Sequence, residues 1–357
     1  MKSFVNLVSI LFLTSFWACT NLKNEILDFN DSSFVQSVLM SNGVIINNES
    51  LFLEYPRSIR FHPDSFLIIE ETNAQNLIKI IDLKDGSVQE LITQGRGPGE
   101  MLVPWGISLF GEDLYAFCAQ LKRVIILTPD RNRKFEIIKE LSIQETQTDR
   151  FYPLNTNLYI CLDGNYDSDK RLIYLDNEGR IISKTGDFPE FVNPTEAIAN
   201  NEIFSSSIAG RPDGEKFVLA CRKTDIIEIY NTRKGLEKRL HGPIGIELTI
   251  HAQKVGPGFM IRTDPHYSTF RETIAGEDEF WVGFLGYKFE KGKQPPSAGA
   301  YHKIIYCFDW NGNPLRRILF RFPVISFDVD WDNKVLYTIT WEREDPEIIY
   351  YPLEELL

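Results

Sequence analysis

Histidine and cysteine are scarce in this chain, with five of each among 357 residues. The histidines, His62, His241, His251, His266 and His302, form no H-E-x-x-H pair. The cysteines form no C-x-x-C pair and no Cys/His cluster with zinc spacing. A G-x-S-x-G elbow is also missing, so no linear catalytic signature is present. Basic residues are outnumbered, 38 Lys and Arg against 50 Asp and Glu, for a formal net charge of -12. That balance leaves no basic groove to follow phosphates and excludes nucleic acid as the partner. No window of about 12 residues sustains helical periodicity. The apolar run from Phe4 to Trp17 is shorter than the ~20 residues a permanent membrane-spanning helix needs.

Strand formers are plentiful. Aromatics make up 13% of the chain, with 25 Phe and 14 Tyr, and these fit a pleated, half-buried surface. One pattern recurs: an apolar strand, a tight Asp/Asn/Gly turn, then a more polar strand. Ile80–Gly86 leads into Val88, and Leu172–Gly179 into Ile181. Ile226–Asn231 precedes Lys234-Gly235, and Ile304–Asp309 precedes Asn311-Gly312. Val124–Leu127 with Asp130 is a weaker copy. A strand pair stands ahead of each copy, as in Arg57–Phe61, turning at His62-Pro63-Asp64 into Phe66–Ile69. Four-stranded units of this length, about 40–50 residues each, read as blades of a β-propeller. They begin near residues 56, 104, 151, 203, 270 and 326, so the expected fold is all-β, a six-bladed ring. The last unit is one strand short. Gly43–Ile46, or Leu51–Leu53, is expected to supply it, closing the ring with an N-terminal strand and leaving no open edge.

The Gly-rich turn Gly95-Arg96-Gly97-Pro98-Gly99-Glu100, with the strands Leu114–Phe117 and Val124–Leu127 that follow it, resembles an NHL-type repeat. The chain as a whole, over residues 40 to 350, is similar to the TolB-like six-bladed propeller lipoproteins of Bacteroides-type bacteria. That resemblance implies the propeller fold and an envelope address, and it implies little about activity.

The N-terminus supports the address. Lys2, the apolar run and Ala18-Cys19 make a secretory signal whose cysteine sits as in a lipobox. The expectation is a signal peptide over 1–18, acylation of Cys19, a polar lipid-anchored tether over 19–40, and the propeller over 41–357. The protein is then a monomer held on the outer membrane through acyl chains. Cys118, Cys161, Cys221 and Cys307 fall in four different blades. Sheets about 10 Å apart keep their thiols from pairing.

In a propeller, inner-strand starts, loops between blades and loops joining second to third strands share one face. Two long insertions, 242–267 and 287–302, belong there too. Arg57, Arg96, Trp105, Arg222, Arg271, Tyr287, Asp328 and Arg343 are therefore the candidate ligand residues, for a protein, peptide or glycan. The chain so read is a non-catalytic binding module. The competing reading is a lactonase-like, metal-dependent hydrolase, for which Asp328 and Glu196 are the nominees. A third reading is a structural envelope subunit. No cofactor is expected, except that Asp328-x-Asp330-x-Asp332, with three carboxylates on one side of a strand, leaves a divalent cation open.

Overall fold

The computed structural model describes residues 26–353, apart from 47–50, 144–146, 166–167, 190–199, 256–257, 291–300 and 342–344. Six four-stranded blades surround a channel. Blade 1 is Pro56–His62, Phe66–Glu71, Asn76–Asp82 and Val88–Thr93. Blade 2 is Gly106–Phe110, Asp113–Cys118, Arg123–Pro129 and Phe135–Ser142, and blade 3 is Thr148–Asn155, Leu158–Asp163, Leu172–Asp176 and Ile181–Thr185. Blade 4 is Ser206–Gly210, Lys216–Cys221, Ile226–Asn231 and Gly235–His241. Blades 5 and 6 share one continuous strand, Pro314–Asp330. Its first part pairs with His302–Asp309, and its second part with Val335–Thr340. Tyr267–Ala275 and Glu279–Lys288 complete blade 5 on the inside, and Glu347–Pro352 continues blade 6 outwards.

The second strands read as unbroken apolar runs because both of their faces are buried. In blade 1, Phe66 and Ile68 pack with blade 2 residues such as Leu114 and Phe135, while Leu67 and Ile69 pack with Tyr337, Ile339 and Ile348 of blade 6. Four further clusters fill the gaps between blades 2 and 3, 3 and 4, 4 and 5, and 5 and 6. The ring is therefore closed by side-chain packing at every junction. The hairpin joining third and fourth strands is fixed the same way in five blades. The carboxylate or amide oxygen of Asp82, Asp130, Asp176, Asn231 or Asp309 accepts the N–H two residues on, at 2.8–3.0 Å. This is the turn the repeats predict.

The four described cysteines are buried and free, one in each of blades 2 to 5. Val44–Ile45 pairs antiparallel with the last strand (Ile45 with Ile349, Val44 with Tyr350), which is the expected closure.

The expected tether is corrected from residue 26 onward. Ile26–Asp28 pairs parallel with the outer strand of blade 4, and Gln36–Met40 pairs parallel with the blade 5 part of Pro314–Asp330. Between them, Phe29 and Phe34 are buried among Tyr306 and Phe308, with ring centroids 5.0–5.8 Å apart. Asp31 accepts a hydrogen bond from the Tyr306 hydroxyl at 2.7 Å and pairs with Arg317 at 2.7 Å. A chain with two apolar rings and a bonded acid in its middle sticks to the ring edge, whatever its polar average. The signal segment and Cys19 lie outside the described residues.

Candidate channel-mouth site

One end of the channel opens as a cavity of about 330 Å³ to which all six blades contribute. Arg57 and Arg60 come from the inner strand of blade 1, Trp105 from just ahead of that of blade 2, and Arg150 from that of blade 3. Arg222 follows the second strand of blade 4, Arg271 lies in the inner strand of blade 5, and Trp341 follows the second strand of blade 6. Equivalent positions on inner strands converge by the symmetry of the ring, so residues far apart in sequence share one rim.

Arginine dominates this rim. Arg57 donates to the Pro104 carbonyl at 3.1 Å and lies 3.8 Å from Glu70. Arg150 sits over the Trp105 ring, 5.6 Å from its centroid, and donates to Asp149. Arg222 and Arg271 carry no side-chain hydrogen bond or ion pair among the described residues. Burial, then Arg150 and Arg271, push Arg222 down to about 9, with Asp149 opposing. Burial, then Arg57 and Arg150, lower Arg271. Both remain charged at neutral pH and are held close to like charge.

Beneath the rim the channel is plugged. Arg60 donates to Glu272 at 2.7 Å, Glu272 accepts from the Ser326 hydroxyl at 2.8 Å and the Phe327 N–H at 3.1 Å, and Ser326 accepts from the Ile59 N–H at 2.9 Å. Asp328 accepts the N–H groups of Phe61 and Val329, both at 2.9 Å. Below this network a second cavity of about 280 Å³ includes Asp328, Trp331 and Tyr152. The inner strands of blades 1, 5 and 6 are thus stitched by buried acids. Burial outweighs Arg60 and raises both Glu272 and Asp328 above the usual carboxylate range.

His302 starts the third strand of blade 5 and also lines the mouth, 1% exposed, with Nδ1 unpartnered among the described residues. Its ring lies where a Cβ on Gly283 would stand, 2.9 Å from two of its atoms, so only glycine leaves room there. Burial, then Arg271, lowers His302 to about 3.

Of the eight residues the sequence nominates, the mouth gathers Arg57, Trp105, Arg222 and Arg271. Arg96 stands exposed on its loop and does not line the cavity. That loop serves itself: Glu100 accepts the Gly97 N–H at 2.7 Å, and Arg123 donates to the Glu100 carbonyl at 2.9 Å. Tyr287 packs edge-on against Phe289 away from the mouth. Asp328 belongs to the plug, and Arg343 and Glu196 lie outside the described residues. The cation pattern is also undone: Asp330 is spent on Asn333 at 3.0 and 2.8 Å, and Asp332 is exposed. No group of three potential metal ligands occurs among the described residues. The sequence reading missed Arg60, Arg150, Glu272 and His302. Arg150 and Glu272 share one equivalent inner-strand position, that of Ser58, one residue after Arg57 and Arg271, and aligning the blades would have found them.

The family model for TolB-like 6-blade propeller-like proteins matches residues 25–332, and the chain belongs to that family. No curated protein matches it. Among solved structures it is similar to the β-propeller domain of Cps50 (Swd1) from Myceliophteria thermophila, at 13% identity and a TM-score of 0.46. It is also similar to hydrazine synthase from Kuenenia stuttgartiensis, at 11% identity and a TM-score of 0.47. Each comparison covers 86% of this chain and 99% of the other. Likeness at that level carries nothing about function.

Proposed function

We propose that the protein is a lipid-anchored module of the cell envelope that binds a polar partner, a protein, peptide or glycan, at the channel mouth. The observation that carries this reading is the mouth cavity itself, built from all six blades and lined in part by the side chains of Arg222 and Arg271 and by His302 Nδ1, for which no hydrogen-bond partner stands among the described residues. Of the two nominees of the hydrolase reading, Asp328 accepts two backbone N–H groups and Glu196 lies outside the described residues, so no observation favours that reading. Acylation of Cys19 would supply the anchor. Residues 20–25 would then leave roughly 20 Å between lipid and ring, so the propeller would sit close to the bilayer.

The test compares envelope material captured by the wild-type protein, by an Arg57→Ala/Trp105→Ala variant, and by a variant substituted on the opposite face. Loss in the mouth variant alone is expected. Full retention there, with loss from the opposite face, would move the site. For the anchor, Cys19→Ser should abolish fatty-acid labelling and release the protein from membranes; unchanged labelling would exclude it.

A further inference from the structure

We propose that the channel mouth is an anion site that receives the acidic group of a sugar, a carboxylate or sulfate held by Arg222 and Arg271 with the sugar ring against the aromatic wall. This inference rests on the binding reading above and gives that site a ligand class.

The charge count at the mouth is the starting point. Arginines from blades 1, 3, 4 and 5 converge there. The carboxylates within reach face other partners, and Glu70 Oε1, with no hydrogen-bond donor among the described residues, lies 3.8 Å from Arg57. Glu272 serves Arg60 and Ser326, Glu70 accepts from the Ser58 hydroxyl at 2.7 Å, and Asp149 serves Arg150 and Ser205. Arg222 and Arg271 are left without a direct ion pair or side-chain hydrogen bond among the described residues, and Asp149 acts on Arg222 only from beyond contact. Like charges gathered at a partly desolvated site are a cost, and an incoming anion removes it. Guanidinium groups suit this role because their planar fork matches two oxygens of a carboxylate or sulfate.

Size and lining narrow the class. A cavity of about 330 Å³ lies at the small end of ligand pockets, which run from about 300 to 1,000 Å³. It holds one ring-sized unit and gives an extended peptide no groove. Tyr55, Trp105, Tyr301 and Trp341 line it and supply flat apolar faces for sugar C–H groups. The open side of the cavity leaves the rest of a saccharide chain in solvent. His302, neutral and buried beside Arg271, adds an unpartnered ring nitrogen in the same lining.

Calorimetric titration of the whole protein with an oligogalacturonate, a sulfated oligosaccharide, a neutral oligosaccharide of equal length and an acidic peptide tests this. At least one acidic sugar should bind at low salt and weaken at least tenfold in Arg222→Gln or Arg271→Gln. Arg222→Lys should recover part of the loss, since charge returns without the fork. The neutral sugar should bind at least tenfold more weakly. Equal binding of neutral and acidic sugars, binding of the peptide in place of the sugars, or no binding of either acidic sugar would each overturn the proposal. Should mouth-dependent capture from the envelope persist in those cases, the binding reading stands and the ligand class alone falls.

Discussion

His302 shows how one side chain can make a rigid ring sensitive to acid. Its folded value of about 3 lies below the ordinary 6.5, so the unfolded chain binds its proton first. The sign follows from linkage: stability is complete above about 6.5 and is lost as pH falls toward 3, at about 1.4 kcal/mol per unit across that window. Replacing His302 with Leu should flatten this part of the profile in urea melts from pH 7 to 4. An unchanged slope would mean another group sets it. His241 runs in the opposite sense. Its bond to Asp225 raises it, so its contribution is present below its ordinary value and fades as pH rises through the raised one. A third buried group, Arg171, joins blades 3 and 4 by pairing with Glu228 and by donating to the Phe204 carbonyl at 2.9 Å and the Ser206 hydroxyl at 2.7 Å. Arg171→Met strips Glu228 of one partner in a dry site and should cost about 3 kcal/mol in chemical denaturation. A cost near zero would show that Arg239, 2.7 Å from Glu228, suffices.

Single elements show where sequence legibility ends. The third-to-fourth strand hairpins were legible because an Asx turn needs one particular residue at one place, and Asp82, Asp176, Asn231 and Asp309 announce it. The central strands were legible because burial on both faces leaves a short run such as Phe66–Ile69 with no polar residue in it. The strap over residues 26–40 was not. Its strands are three and five residues long, lie at an outer edge and show most side chains to water, so their pattern is polar. Two isolated aromatics carry its attachment, and no periodicity reports them. Phe34→Ala should lower stability by about 3 kcal/mol through loss of a buried ring. A change below 0.5 kcal/mol in denaturant melts would return this segment to the status of a tether. The mouth was half legible for a related reason. Arg57 and Arg271 could be guessed from position, whereas Asp328 on the same kind of strand faces backbone donors, which sequence spacing does not reveal.

Across the whole molecule, six inter-blade cores distribute stability around the ring, and the thiols are sealed inside it. Cys161 and Cys307 are raised by burial, so as thiols they are poor nucleophiles. In a form without Cys19, the folded protein should react with an aromatic disulfide reagent slowly if at all at Cys118, Cys161, Cys221 and Cys307, and release about four equivalents once denatured. Two equivalents would reveal a disulfide that the described geometry does not contain.

The N-terminal strap also sets an order of events. Val44 and Ile45 meet Tyr350 and Ile349, and Gln36–Met40 meets residues 316–320, so the first part of the chain to be made finds its partners among the last. Such distant pairings are slow to form. Until they do, blades 5 and 6 carry bare outer edges, and the exposed strand groups there can recruit a neighbouring chain. A chain emerging amino end first would thus remain an open horseshoe, with its leading strap waiting at one side, until synthesis is nearly over. Ring closure then becomes a check on completeness, since a chain cut short before Glu347–Pro352 has no strand on which Val44–Ile45 can land.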